Sequence, residues 1–471
     1  MRFSPRETYA TLFSERKNKM LWNEVRAALI KNADKTLGEK DRVIPFGKAL
    51  EIAEERAKKL KNARRCAILC KEETEAALWL LACFAARKTA IPLSERYGKK
   101  HCDGIIGEIR PDLLLSDGGK TERLFSSDEN SVSAALIMCT SGTTGKPKGV
   151  VLSEENILTN VFDIAEYFGV SRSDTILISR PLYHCAVLTG EFLVSLLAGA
   201  DIRFYSGFFE PLRLPSVIKK YGATVFCGTP TLLSLLAATG KDIPLKKIAI
   251  SGECMDGKTG AFIKKAFPTA EIHHVYGLTE ASPRVAALPP RLFEKYPDFV
   301  GYPLRHTEIK LLPDGKNRNI LWVKGKNVTS GYYKNPAATA AKIKDGWLCT
   351  GDVAEINGEG LLKIFGRSDD MIIKGGMNIY PSEIEEAVKA DRRVREAAAY
   401  GYRDKGTVKI GLLVSGNFPS VSEVYGVCRE NLPPYEVPNE IFLKDRLERN
   451  GSGKIMRKRP DRVAENGGFG V

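Results

Sequence analysis

The sequence predicts an α/β protein: a large N-terminal region of mostly parallel sheets with helices plus a β unit, then a smaller α+β C-terminal domain. Three observations predict it. Between residue 63 and about residue 250, short apolar runs alternate with helical stretches, the grammar of strand–helix–strand units with parallel strands. After about residue 300 the composition shifts: 301–333 is rich in Gly, Val, Ile and turn dipeptides, including the Pro-Asp-Gly at 313–315, which suits compact β structure. Finally, a helix opening at Pro381 is followed by strand-like runs at 397–402 and 408–414, enough for a domain of its own. A chain of 471 residues has room for two or three domains at roughly 100 to 200 residues each.

The elements follow in order. Residues 45–60, PFGKALEIAEERAKKL, space their apolar residues for an amphipathic helix. The stretch 63–92 reads strand, loop, buried helix, strand. Further strands are expected at 112–115, 134–139, 175–179, 201–205, 224–227 and 247–250, with a helix at 188–197. Pro381 stands where a first helical residue tolerates proline, with Glu383, Glu385 and Glu386 near the positive end of the helix dipole. The boundary falls at 367–370, dividing the chain into 1–366 and 371–471.

Charge and cysteine usage narrow the function. There are 71 Lys and Arg against 57 Asp and Glu, a net charge of +14. The basic residues are dispersed except at 58–65 and 454–462, and no aromatic-basic pattern of an RNA-binding module is present. Nucleic acid, an acidic partner and a polyphosphate substrate are all open to so basic a chain, and the motifs have to decide among them. The longest apolar run, 76–86, is far short of the roughly 20 residues of a membrane-spanning helix. Residues 1–17 show no signal-peptide core, so a cytoplasmic protein is expected. The ten cysteines form no C-x2-C pair and the five histidines complete no zinc pattern; the thiols should be reduced, buried and apolar in behaviour.

Chemistry concentrates at 136–151, LIMCTSGTTGKPKGVV. Gly142, Gly145 and Gly149 let backbone N–H groups turn toward phosphate oxygens. Thr140, Ser141, Thr143 and Thr144 offer hydroxyls, and Lys148 a cation. It is a polyphosphate cradle without Walker A spacing, because Pro147 after Lys146 would interrupt the helix that motif requires.

TSGTTGKPKG resembles the signature of the adenylate-forming superfamily, which includes acyl- and aryl-CoA ligases. Further motifs follow in the family's order: PLYH at 181–184, YGLTE at 276–280, TGD at 350–352, GRSDD at 366–370, GGMNIYPSEIE at 375–385 and GSGKIMR at 451–457. The resemblance spans 45–458 and implies that a carboxylate attacks the α-phosphorus of ATP, giving acyl-adenylate and pyrophosphate, before a thiol displaces AMP. It implies further that Glu280 ligates Mg2+, Thr279 bonds the α-phosphate, Tyr276 with Gly277 packs at adenine, and Gly252 and Glu253 lie on the adenine side. Asp352 would hold the ribose hydroxyls with support from Arg367. Asp369 would be the hinge of a mobile C-terminal lid, and Gly375 and Gly376 would line the pantetheine tunnel. Lys454 would bridge the carboxylate and the α-phosphate, and His184 would gate the acid pocket.

Val187, Cys227, Gly228 and Ala281 are candidate pocket walls. Cys185, Ala186, Val187 and Leu188 follow His184 where amino-acid-selecting relatives carry an Asp, so a free ammonium would be unpaired there. Glu191 fits a structural role better than an amine-binding one. A small-molecule carboxylic acid, aryl or acyl, is therefore expected, with coenzyme A as acceptor or, alternatively, the phosphopantetheine of an acyl carrier protein, in a monomer or homodimer. A non-catalytic basic binding protein on the same fold is the remote alternative.

Overall fold

The computed structural model describes residues 20–95, 98–126, 134–141, 147–205, 210–314, 318–368, 370, 372–374, 377–404, 407–418, 420–449 and 455–460. The chain divides into two units. The first comprises Met1–Lys310, Trp322–Thr350 and Ile356–Lys363, and the second Leu311–Leu321, Gly351–Glu355 and Ile364–Val471.

The first unit begins with helix Leu21–Lys31 and a hairpin of β1 (Thr36–Glu39) and β2 (Arg42–Pro45). The expected amphipathic helix is Phe46–Lys59, burying Phe46, Ala49 and Ala53. Then β3 (Arg65–Ile68), helix Glu73–Ala85 and β4 (Thr89–Pro92) realise the expected strand–helix–strand unit. That helix is apolar all round because it is covered on every side, Leu78, Trp79 and Leu81 being fully buried. Next come β5 (Leu113–Ser116), β6 (Lys120–Arg123), β7 (Leu136–Ser141) and β8 (Pro147–Leu152). Helix Glu154–Phe168 starts from a capping box of Ser153 and Asn156 and stops at left-handed Gly169.

The alternation continues through β9 (Thr175–Ile178), β10 (Asp201–Phe204), β11 (Val225–Gly228), β12 (Lys247–Ile250), β13 (Glu271–Gly277), β14 (Arg284–Ala287) and β15 (Tyr302–Pro303). One sheet runs β15-β14-β13-β12-β11-β9-β10-β1-β2. β16 (Thr307–Pro313) and β17 (Asn319–Gly325) precede β18 (Gly331–Tyr332), which edges a second sheet ordered β18-β8-β7-β4-β3-β5-β6. Both are parallel at the centre, β9 beside β10 and β11 and β3 between β4 and β5. Their edges are antiparallel, made by hairpins such as β7–β8 and β1–β2. The β unit expected at 301–333 reaches further, because β19 (Ile343–Lys344), β20 (Trp347–Ile356) and β21 (Leu362–Arg367) join β16 and β17 in one sheet.

The second unit carries the hairpin of β22 (Ile372–Lys374) and β23 (Met377–Ile379). Its own sheet pairs β24 (Val394–Asp404) antiparallel to β25 (Thr407–Gly416), with β26 (Glu440–Leu443) parallel to β25. Helices Pro381–Lys389 and Val421–Asn431 supply Ile384, Val388, Val424 and Cys428 to a core shared with Ile410, Leu412 and Val414. The two strands expected here lie inside longer ones.

All ten cysteines are free, and eight are buried. Burial pushes the Cys139 and Cys185 thiols up to about 12, so they behave as small apolar residues. Among the described residues no helix is long and apolar enough to cross a membrane.

Candidate active site

The phosphate motif is a hairpin. β7 and β8 pair with Thr140 opposite Lys148 and Ser141 opposite Pro147, so 142–146 is their connection; proline opens a strand here, consistent with the absence of a Walker A helix. Gly142, Thr143, Thr144, Gly145 and the Ser141 side chain lie outside the described residues. Gly149 is required where it stands: a Cβ would press Ile137 Cγ2 at 2.7 Å and Ile109 Cδ1 at 2.8 Å.

The Tyr276–Glu280 motif ends β13. The register slips between Tyr276 and Gly277 against β14, and Leu278 N–H donates to the Pro283 carbonyl at 2.8 Å. A side chain on Gly277 would collide with that carbonyl. The turn Thr279–Ala281 leaves Tyr276, Thr279 and Glu280 half-buried.

These two motifs meet through a segment that sequence reasoning did not single out. Tyr332 pairs with Val150 on β8, its hydroxyl donates to Glu280 Oε1 at 2.8 Å, and the Lys148 ammonium lies 5.7 Å from its ring centroid. Thr329 donates its N–H to the Glu280 carbonyl at 2.8 Å and its hydroxyl to the Val151 carbonyl. Asn327 donates its amide to the Ala281 and Arg284 carbonyls, both at 3.1 Å. The strap 327–332 thus ties the phosphate hairpin to the Glu280 turn; the one available signal was the Gly-Tyr-Tyr at 331–333 that ends the expected β unit. Glu280 offers one carboxylate, and among the described residues no three His, Cys, Asp or Glu side chains gather as a metal cage. That donor set fits magnesium, which takes one or two carboxylates and completes its shell with phosphate oxygens and water.

On the adenine side Gly252 is exposed at φ +96°, a conformation suited to glycine. The Glu253 carboxylate accepts from the Thr231 hydroxyl at 2.6 Å and from its N–H at 3.2 Å. It thereby ties the adenine-side segment to the first turn of helix Pro230–Ala238.

On the acid side, His184 N-caps the short helix Cys185–Val187, its ring edge-on to Tyr183 with centroids 5.5 Å apart. The expected helix 188–197 is split: Leu188–Leu193 is one π-helical stretch and Val194–Ala198 is α-helical. Val187, Cys227, Gly228 and Ala281 are all buried. The wall read as apolar is backed by charge. Glu191 pairs with Arg180 at 2.7 Å, and both, with Arg284, act electrostatically on the Cys227 thiol.

In the second unit, Arg367 Nη1 lies 3.4 Å from Asp352 Oδ1, bringing the two expected ribose residues together. Asp369, Gly375, Gly376 and Lys454 lie outside the described residues, but their flanks are informative. Lys374 pairs with Met377 around 375–376, and Arg449 bridges Ile455 around 450–454. Three residues past Lys454, Arg457 clamps Glu385 with bonds of 2.7 and 2.8 Å.

Two family models match, AMP-binding enzyme over residues 120–333 and AMP-binding enzyme C-terminal domain over 383–454. The chain is 31% identical to a 2-succinylbenzoate–CoA ligase of Bacillus velezensis over 85% of this chain and 88% of that one. It is 33% identical to a long-chain-fatty-acid–CoA ligase of Haemophilus influenzae over 72% of this chain, spanning 64% of that protein's length. The solved o-succinylbenzoate CoA synthetase of Bacillus subtilis superposes at 25% identity. Its acyl-adenylate complex gives a TM-score of 0.84 over 96% of this chain and all of that one. Its complex with ATP and magnesium gives 0.80 over 91% and 98%. With the phosphate hairpin, the Glu280 turn and the Asp352–Arg367 pair in place, the chain belongs to the adenylate-forming AMP-binding enzymes, in their acyl- and aryl-CoA ligase branch.

Proposed function

We propose that this protein activates a carboxylic acid, aryl or acyl and not an α-amino acid, as its acyl-adenylate with release of pyrophosphate, and then passes the acyl group to the thiol of coenzyme A. The observation that carries this reading is the Lys148–Tyr332–Glu280 network, which brings a cation and a carboxylate from two distant motifs to one place. Lys148 and the N–H groups of the hairpin connection neutralise the triphosphate. Glu280, oriented by Tyr332, would hold magnesium, which supplies charge neutralisation on phosphate oxygens when bound. Thr279 donates to the α-phosphate, and Tyr276 with Gly277 and Gly252 forms the adenine seat. Asp352 accepts from the ribose hydroxyls with Arg367 orienting its carboxylate. Lys454 stabilises the charge that develops between the carboxylate and the α-phosphate. Asp369 is the hinge on which residues 371–471 reorient, and Gly375 and Gly376 leave room for pantetheine.

The +14 charge favours a second reading, transfer to an acidic carrier protein. Saturable turnover with free coenzyme A and no carrier supports the first reading over this one.

The test is acid-dependent exchange of pyrophosphate into ATP across aliphatic, aryl and amino acids. Exchange with one of the first two classes is expected; exchange with amino acids alone would overturn the acid assignment. Lys454→Ala should abolish exchange while thiolysis of supplied acyl-adenylate survives, and equal loss of both would remove Lys454 from its role.

A further inference from the structure

The motif at 181–184 is an irregular turn held from outside by its neighbours. Leu182 N–H donates to Glu73 Oε2 at 3.0 Å, and His184 N–H closes the turn on the Pro181 carbonyl at 3.1 Å. A third anchor comes from a helix that none of the sequence motifs touches, Lys99–Ile109. There His101 Nε2 lies 3.0 Å from the Tyr183 hydroxyl, which in turn donates to the Cys139 carbonyl at 3.2 Å. Cys139 stands on β7 one residue before Thr140, so this chain of bonds ends on the phosphate hairpin itself.

A phenol has one proton to give. Tyr183 gives it to a carbonyl, which can only accept, so both bonds stand together only when His101 Nε2 carries a proton of its own. Burial lowers the pKa of the His101 imidazole. At neutral pH the ring is therefore neutral, and this geometry puts its single proton on Nε2. The helix that carries it is firmly seated: Cys102, Ile105 and Ile109 are buried in one apolar cluster with Ile137, Cys139 and Tyr183. The Tyr183 ring stands edge-on to the rings of His101 and His184, with centroids 6.0 and 5.5 Å away.

Tyr183 is 6% exposed, and in such surroundings a phenylalanine would pack as well. A buried hydroxyl gains little net stability from bonds that replace those it made to water. What two directional bonds on one oxygen supply is orientation. They fix where the ring, and with it the backbone entering His184, stands relative to β7.

We propose that His101 is a positioning residue for the adenylation step. Through the Tyr183 hydroxyl it holds the His184 turn in register with the Thr140 end of the phosphate hairpin, so that the carboxylate of the acid and the α-phosphate of ATP are presented to each other at attack distance. It acts through Tyr183 and not on substrate. This deepens the reading given under Proposed function and rests on it. Adenylation joins two separate molecules whose alignment the protein must supply. An acyl-adenylate arrives already joined, so its thiolysis asks less of the same bonds.

The experiment compares the two half-reactions in His101→Leu, Tyr183→Phe and the double variant, with the acid that gives the wild-type protein its fastest pyrophosphate exchange. Each single variant should lose on the order of tenfold in kcat for exchange, while thiolysis of supplied acyl-adenylate stays within about threefold of wild type. His101→Gln, whose amide can donate where Nε2 does, should recover most of the loss. The double variant should be no slower than the worse single one, because both cut the same chain of bonds. A lowered melting temperature with kcat for exchange unchanged, equal losses in both half-reactions, or losses that multiply in the double variant overturn the positioning role while leaving the ligase reading intact. No exchange by the wild-type protein with any acid overturns both. Should Tyr183→Phe fail to fold, His101→Leu and His101→Gln, at a half-buried position, decide the matter.

Discussion

Two buried glutamates, one in each unit, show how differently this molecule completes the bonding of buried charge. In the second unit Glu385 accepts from Arg457 through both oxygens and also from the Ala399 N–H at 2.9 Å. Nothing is left over. In the first unit Glu191 is more deeply buried yet has one oxygen bonded and one orphaned. A completed network needs no further partner, whereas an incomplete one in a low-dielectric place is either a standing cost or the half of a site. The contrast gives Glu385 the task of anchoring the chain just beyond Lys454.

The largest effect is expected where the network is complete. Glu385→Ala removes three charge-assisted bonds, which should cost about 3 kcal/mol in the second unit's unfolding, read by calorimetry. Because Arg457 also lies 3.7 Å from Asp370, beside the proposed hinge residue, adenylation should fall with it. Glu191→Ala should cost the fold measurably less. Equal losses at the two glutamates would break the comparison.

The next effect concerns orphaned groups that bind nothing. All five histidines belong to the first unit. His273 is buried against Tyr167 and Phe168, at ring distances of 5.4 Å to each, and neither of its ring nitrogens has a partner. Burial holds the His273 and His274 imidazoles down at about 4. An unfolded chain protonates these rings below about pH 6.5, while the folded chain resists until about pH 4. The unfolded state therefore binds more protons in that window, and stability present above pH 6.5 is lost as pH falls through it. His273→Phe should leave the fold unchanged or more stable at pH 7 and exceed wild type by about 2 kcal/mol at pH 5. Parallel melting curves across pH would show that His273 is not the acid-sensitive group.

Much of the fold is legible in the sequence, because doubly covered parallel strands such as Lys247–Ile250 must be apolar past their first residue, and turns such as that of Gly277 tolerate no side chain. The site's motifs are legible for the same local reason. What escapes is pairing across distance. Tyr332 acts on Glu280 from 52 positions away. Glu385, which reads as a first-turn helix charge, is claimed by Arg457 from 72. The charge behind the proposed acid pocket escapes too: Arg180 precedes an apolar motif and Arg284 opens an apolar strand, so neither betrays in sequence that both act on the Cys227 thiol with Glu191. Nor does periodicity distinguish the π-helical stretch at Leu188–Leu193 from an α-helix.

The smallest effect tests a third glutamate. Glu280 is intermediate between the other two: half-buried, with Oε1 held by the Tyr332 hydroxyl. If its other oxygen is kept for magnesium, the tyrosine's contribution is orientation. Tyr332→Phe keeps the ring under Lys148 and deletes one bond to a charged acceptor, worth about 1.5 kcal/mol. The expected outcome is a rise of roughly tenfold in the magnesium concentration giving half-maximal exchange, with the melting temperature little changed and with turnover recovered at high magnesium. A structural glutamate would respond differently. Its loss of a bond would lower the melting temperature and leave the magnesium requirement where it was, which would put Glu280 with Glu385 and take it out of the site.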